Sequence, residues 1–158
     1  MKTFTDKNLT LQLEANEKFM AKDILHKAVR EALEKDGWII THDPYRLKVL
    51  DSVVYEIDWG AEKLLAAEKD NQKVAVEVKS FIGSSFAYEF HGILGQYLNY
   101  LTFMHIQEPE RQLFLAVPRG IYDLYFKQEA INLIIQTFKV QILIYSSFDN
   151  TIEEWITK

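Results

Sequence analysis

The sequence contains no cysteine, only three prolines and six glycines in 158 residues, and no excess of basic charge. Without cysteine there is neither a disulfide framework nor a thiolate zinc site. No apolar run approaches the roughly 18 residues of a membrane span, and the N-terminus lacks the apolar core of a signal peptide. A cytoplasmic protein with no membrane contact is the expectation. Eighteen Lys and Arg against 23 Asp and Glu give a formal net charge of −5 and a pI of about 5.4. That balance excludes a broad basic surface for nucleic acid. Any DNA contact must be local or supported by a partner.

What is present suits one domain of the α/β class. Hydrophobic residues make up 48% and charged residues 26%, enough for an ordinary core. Residues 1–19 read as an N-terminal extension, in which Leu9, Leu11 and Leu13 alternate as in a short strand. If ordered, this leader docks on the body or on another subunit. The body, residues 20–158, opens with a helix over 20–36 whose apolar stripe is Ile24, Leu25, Ala28, Val29, Ala32 and Leu33 and which stops at Gly37. Its charged side pairs Asp23 with Lys27, Arg30 with Glu34 and Glu31 with Lys35, the pattern of a solvated face. The sharper reading is that Glu31 or His26 borders an active cleft.

A strand over 38–42 ends at Asp43-Pro44, and short runs follow at 46–50 and 53–58. Residues 64–69 and 73–81 then form a hairpin around Asp70-Asn71-Gln72. A helix over 86–107 carries Phe86, Phe90, Leu94, Tyr97, Leu101 and Met104 at helical spacing, and its Gly92 and Gly95 suggest close packing on another backbone. A strand over 112–117, a helix over 121–139 with Ile131, Ile134, Ile135 and Phe138 as core positions, and strands over 140–145 and 151–157 complete the chain. This order implies a mixed central sheet flanked by helices.

The hairpin carries the candidate chemistry. Glu77 and Lys79, two apart on a strand, point to one face, while Val74, Val76 and Val78 point to the other. With Lys69 opposite Val74, Glu68 lies opposite Ala75 and Ala66 opposite Glu77, so Glu68, Glu77 and Lys79 share a face. A one-residue slip would reverse this. Asp58 lies upstream, where an apolar run enters a loop. Two converging carboxylates can hold Mg²⁺ or Mn²⁺, and Lys79 can orient water or offset charge on a phosphate. The plainer reading is a cross-strand salt bridge on an exposed sheet face. On the second helix Gln96 and Tyr100 are one turn apart, with Glu89 seven residues before Gln96, and they supply polar groups off the apolar stripe. The four histidines have no paired spacing, and Ser80, Ser84 and Ser85 lack a nucleophile-elbow context.

The order Asp58, Glu77-Val78-Lys79 and Gln96-Tyr97-Leu98-Asn99-Tyr100 resembles the PD-(D/E)XK nuclease superfamily, and its Gln-x-x-x-Tyr helix is similar to that of the RecB-like branch. The resemblance implies a restriction-endonuclease-like core, Asp58 and Glu77 as metal ligands, Lys79 as catalytic lysine, and Gln96 and Tyr100 as groups that support the site or contact DNA. Because the interval from Asp58 to Glu77 is longer than a tight hairpin needs, Glu68 stands as the alternative upstream ligand. Met-Ala-Lys-Asp-Ile, Gly-Ala-Glu-Lys-Leu-Leu-Ala-Ala-Glu-Lys, Val-Ala-Val-Glu-Val-Lys-Ser-Phe and Leu-Gly-Gln-Tyr-Leu-Asn-Tyr are similar to the XisH family of cyanobacterial fdxN element excision controlling factors, from Met20 onward. That resemblance implies a role in excising a DNA element beside a site-specific recombinase and an XisI-like companion protein. Three readings stand: a controlling factor acting through partners, an active Mg²⁺- or Mn²⁺-dependent DNA endonuclease, and an inactive protein-interaction module. The apolar helix edge and the leader also leave room for a homodimer.

Overall fold

The computed structural model describes residues 4–48 and 64–158. Helix α1 runs without a break from Phe4 to Lys35. The leader is therefore helical where Leu9, Leu11 and Leu13 suggested a strand. No neighbouring strand pairs with it, whereas the helix behind it extends at the cost of one residue per bond. The boundary drawn at Met20 falls inside this helix. At its other end Gly37, at φ +87°, donates to the Glu34 carbonyl (3.0 Å) and Trp38 to that of Leu33 (3.0 Å), the paired bonds of a Schellman stop.

Six strands among the described residues form one sheet: β1 (Ile39–Tyr45), β2 (Leu64–Lys69), β3 (Gln72–Val78), β4 (Gln112–Pro118), β5 (Ile142–Ser146) and β6 (Thr151–Ile156), neighbours in that order. β1–β2–β3 and β5–β6 are antiparallel, while β3–β4 and β4–β5 are parallel. The expected mixed sheet flanked by helices is thus observed. β1 does not stop at Asp43-Pro44. As an edge strand with register shifts on both sides of His42 it tolerates the proline and continues to Tyr45. Of the runs expected at 46–50 and 53–58, residues 46–48 are not in a strand and the remainder lies outside the described residues.

The β2–β3 turn has only two central residues, Asp70 and Asn71, both at positive φ (49° and 65°), the conformation that matches strand twist. Glu68 consequently faces Lys73, Ala66 faces Ala75, and Leu64 faces Glu77. The pairing is displaced by two residues from that expected, and an even displacement leaves every side chain on its expected face.

Both faces are covered. Val29 and Leu33 of α1 pack on Leu65, Ala67, Val74, Val76, Phe114 and Leu143. The opposite face receives α2 (Phe86–Gln107), with Phe90, Tyr97 and Met104 against Ala66, Ala75, Leu113 and Leu115. This double burial explains the unbroken apolar run of β4. Ser85 caps α2 by accepting from the Tyr88 amide. Gly92 and Gly95 do not mark a close backbone contact, since a β-carbon at either would meet nothing within 4 Å. The expected third helix is broken. A helical turn, α3 (Arg119–Ile121), passes into a π turn at Tyr122–Phe126, Gln128 is extended, and α4 (Glu129–Thr137) follows. The π turn seats buried Phe126 among Phe81, Phe86 and Phe90, an aromatic cluster with Phe86 stacked on Tyr125 at 4.0 Å. Ile131, Ile134 and Ile135 reach the core as expected, but Phe138, at the end of α4, is exposed.

A second polar arrangement closes the far end of the α2 face. Buried Arg111 donates to the Val74 carbonyl (3.0 Å) and to Glu108 (2.5 Å), lies 3.4 Å from Glu68, and stacks over the Tyr45 ring at 4.9 Å. Tyr45 donates to Glu108 and receives from Gln107 at 3.0 Å. The Arg111 bond, helped by Tyr45, holds Glu108 down at about 2 against the opposing effect of burial. A carboxyl lowered on folding stabilises fully above its unfolded value near 4.5, and that stability is lost as pH falls towards about 2. Glu108→Gln is therefore expected to cost about 2 kcal/mol at neutral pH and to flatten the acid limb between about 4.5 and 2. Urea unfolding of both proteins across that range measures the difference.

Candidate functional site

β3 lies between β2 and β4, so Glu77 has Leu64 on one side and Leu115 on the other. Helix α2 covers that face, and Glu77 is 1% exposed. Lys79, just past the end of β3, is 6% exposed and places Nζ 3.2 Å from Glu77 Oε1. Lys79 also donates to the side-chain carbonyl of Gln96 on α2. The same strand that supplies core residues Val74, Ala75 and Val76 thus carries an ion pair into the interior. The exposed salt-bridged sheet face offered by the plainer sequence reading does not exist here.

Burial sets the electrostatics. Among the described residues neither Glu77 carboxylate oxygen accepts a hydrogen bond, and desolvation pushes its pKa well above the ordinary carboxylate range. Burial, with a smaller contribution from the positive charge of Lys22 on α1, lowers Lys79 to about 7. Burial thus shifts both groups of the pair towards their neutral forms and brings the amine into the range where it can act as base or donor. Tyr100 and Tyr97 are both pushed up to about 12, first by burial and in both cases also by the charge on Glu77. This shared influence places both rings in the field of the carboxylate. Tyr97 is anchored, donating to Leu113 O (3.0 Å) and accepting from the Gln141 amide (3.1 Å).

The structure unites four of the sequence candidates, Glu77, Lys79, Gln96 and Tyr100. It separates two others. Glu68 faces Lys73, four residues along β2 from the partner of Glu77, and its carboxylate lies by Arg111. Glu31 accepts from Asn150 at 2.6 Å, on a helix that covers the opposite face of the sheet. His26 likewise bonds Asp43 at 2.8 Å. Asp58 lies outside the described residues. Glu89 turns its carboxylate against Gly83, where a β-carbon would come within 2.2 Å of Oε1. Among the described residues no group of three or more His, Asp or Glu side chains converges as a metal cluster. Two contributors escaped the sequence reading. Tyr97 was classed as core because its spacing fits the apolar stripe, and Lys22 stood in the Met-Ala-Lys-Asp-Ile stretch without a role.

An open groove of about 420 Å³ lies elsewhere, among Trp38, Phe114, Trp155 and Lys73, and contains none of these residues. No described helix is long and apolar enough to cross a membrane.

The XisH protein family matches residues 19–153. The chain belongs to the XisH family. Two solved structures agree with this membership. An fdxN element excision controlling factor protein from Anabaena variabilis is 40% identical, with a TM-score of 0.77, and the match covers 85% of this chain and 99% of that one. An XisH family protein from Nostoc punctiforme is also 40% identical, with a TM-score of 0.75 and the same coverage. A search of curated proteins found no match. In this XisH chain Glu77, Lys79, Gln96 and Tyr100 all lie within the matched span, whereas the first four turns of α1 precede it.

A buried carboxylate without hydrogen bonds beside a buried amine should weaken the fold. Replacing both by apolar groups, Glu77→Leu with Lys79→Met, is expected to stabilise the protein by about 1–4 kcal/mol in metal-free buffer. Chemical denaturation checks the sign, and a loss of stability would show that the pair is a structural element.

Proposed function

We propose that this protein is an excision controlling factor that acts on DNA through a PD-(D/E)XK-type pocket, together with an XisI-like companion protein and a site-specific recombinase. The observation that carries the proposal is the buried Glu77–Lys79 pair with Gln96 on the lysine, in a chain of the XisH family. The formal charge of −5 favours dependence on partners, because the protein brings no broad basic surface to DNA.

The residues present fit a divalent cation. Glu77 offers two oxygens that no protein donor satisfies, the ligand type that Mg²⁺ and Mn²⁺ prefer. Asp58 is the second ligand in this reading, since Glu68 is engaged near Arg111. A bound cation would activate water and offset charge on a phosphodiester. This chain's own groups do the rest. Gln96 fixes the direction of the Lys79 amine, which takes or gives a proton near neutral pH, and the buried Tyr100 ring lies in the field of Glu77. Burial raises the Glu77 pKa, so a cation competes with a proton there and its affinity rises with pH.

The test is cleavage of supercoiled, linear and single-stranded DNA with Mg²⁺ or Mn²⁺, with and without the companion protein. Glu77→Ala and Lys79→Ala are expected to abolish cleavage while the protein stays folded. Cleavage that survives both substitutions, or none on any DNA under any of these conditions, rules out a working nuclease site. In the absence of cleavage, a folded protein that binds its companion would identify an inactive interaction module. Independently of turnover, either cation at about 100 times its Kd at pH 8 should stabilise the wild type by about 2.7 kcal/mol there and by less at pH 6 at the same concentration, and should leave Glu77→Ala unchanged.

A further inference from the structure

Among the described residues, no element of the sheet or of the other helices packs on the N-terminal half of α1. From Asp6 to Met20 every residue is exposed, although the helix continues unbroken into the part that packs on the sheet. A solvated helical segment of this length is marginal in water on its own, so it calls for a partner surface. Leu11 and Phe19 are 61% and 66% exposed on other sides of the helix, and Leu9, Leu13, Met20 and, against the core position expected for it, Ile24 are 57%, 55%, 63% and 64% exposed. At 3.6 residues per turn they fall within about 60° of arc, on the side of the helix opposite Val29 and Leu33, which face the sheet. They form a second apolar seam that the protein's own core leaves uncovered.

The seam is self-complementary. Leu9 and Ile24 are symmetric in sequence about the Asn16–Glu17 peptide, and so are Leu13 and Met20. Asp6 and Lys27 are symmetric about the same point and lie on the same arc, one at each end of the seam. A twofold axis through that peptide therefore sets Leu13 beside the Met20 of a second copy, Leu9 beside its Ile24, and Asp6 beside its Lys27. Any parallel pairing would set like charges together at both ends. The antiparallel pair spans 22 residues, about 33 Å, and places the two folded bodies at opposite ends of it. Residues 4–18 precede the family match, and so do Leu9 and Leu13, half of this seam.

We infer that the N-terminal half of α1 is a homodimerisation element, which pairs antiparallel with a second copy of this chain through Leu9, Leu13, Met20 and Ile24. The occupant is fixed by the charge and apolar symmetry, which no unrelated partner would be expected to mirror. This inference stands apart from the proposed DNA chemistry, because it uses none of the pocket residues.

Sedimentation velocity on the full chain across a micromolar concentration range tests it. The wild type is expected to sediment as a dimer, and Leu13→Glu with Met20→Glu as a monomer whose circular dichroism shows a folded body. Asp6→Lys should weaken the dimer roughly tenfold, because two symmetry-related pairs are lost, and Asp6→Lys with Lys27→Asp should restore it. A monomeric wild type at every concentration, a dimer indifferent to the two glutamates, or a charge reversal that fails to restore association would each overturn the assignment. So would a monomer whose seam is covered only on adding lipid vesicles.

Discussion

Glu77 pays the full desolvation cost of a buried carboxylate, and the architecture around it is what makes that tolerable. It sits near the end of a central strand, with Leu64 and Leu115 beside it and α2 above it. Burying an ionisable group without hydrogen bonds costs several kcal/mol. Only a sheet covered on both faces, with most of its interior apolar, can carry such a group and still fold. Lys79 and Gln96 answer part of that cost, but both carboxylate oxygens remain without a donor.

The same face of the sheet holds a contrasting arrangement at its other end. Arg111 is as buried as Lys79, yet its donors meet a backbone carbonyl and two carboxylates, and Tyr45 lies under its guanidinium. Glu108 is consequently held below the ordinary carboxylate range, whereas Glu77 is pushed above it. The satisfied cluster locks the end of α2 to β1 and β4. The other leaves two acceptor oxygens that a proton or a cation could satisfy. Burial is common to both, and hydrogen-bond satisfaction separates them.

Much of the fold is legible in local pattern. The period of Phe90, Tyr97 and Met104, the Ser85 cap and the stop at Gly37 define helices through short-range physics. β2 and β3 could be placed by their turn residues, and the faces of Glu77 and Lys79 survived a two-residue error in register because strand periodicity is two. The errors share a cause. The leader was read by alternation of three leucines when its fate depended on the helix behind it, and the helix expected at 121–139 was broken by aromatic packing around Phe126. Gly92 and Gly95 were given a packing role that their open surroundings do not support.

The amino-acid sequence by itself determined the element order, the residue types of the pocket, the acidic balance and the resemblance to the XisH family. These depend on neighbours in the chain, on composition and on motif order. Tertiary structure decided which carboxylates meet. It brought Gln96 onto Lys79 and Tyr100 into the field of Glu77, sent Glu68 to Arg111 and Glu31 to Asn150, and left the first turns of α1 exposed. Those outcomes rest on strand register and on which sheet face each helix covers, and both are settled only when distant segments compete for the same core.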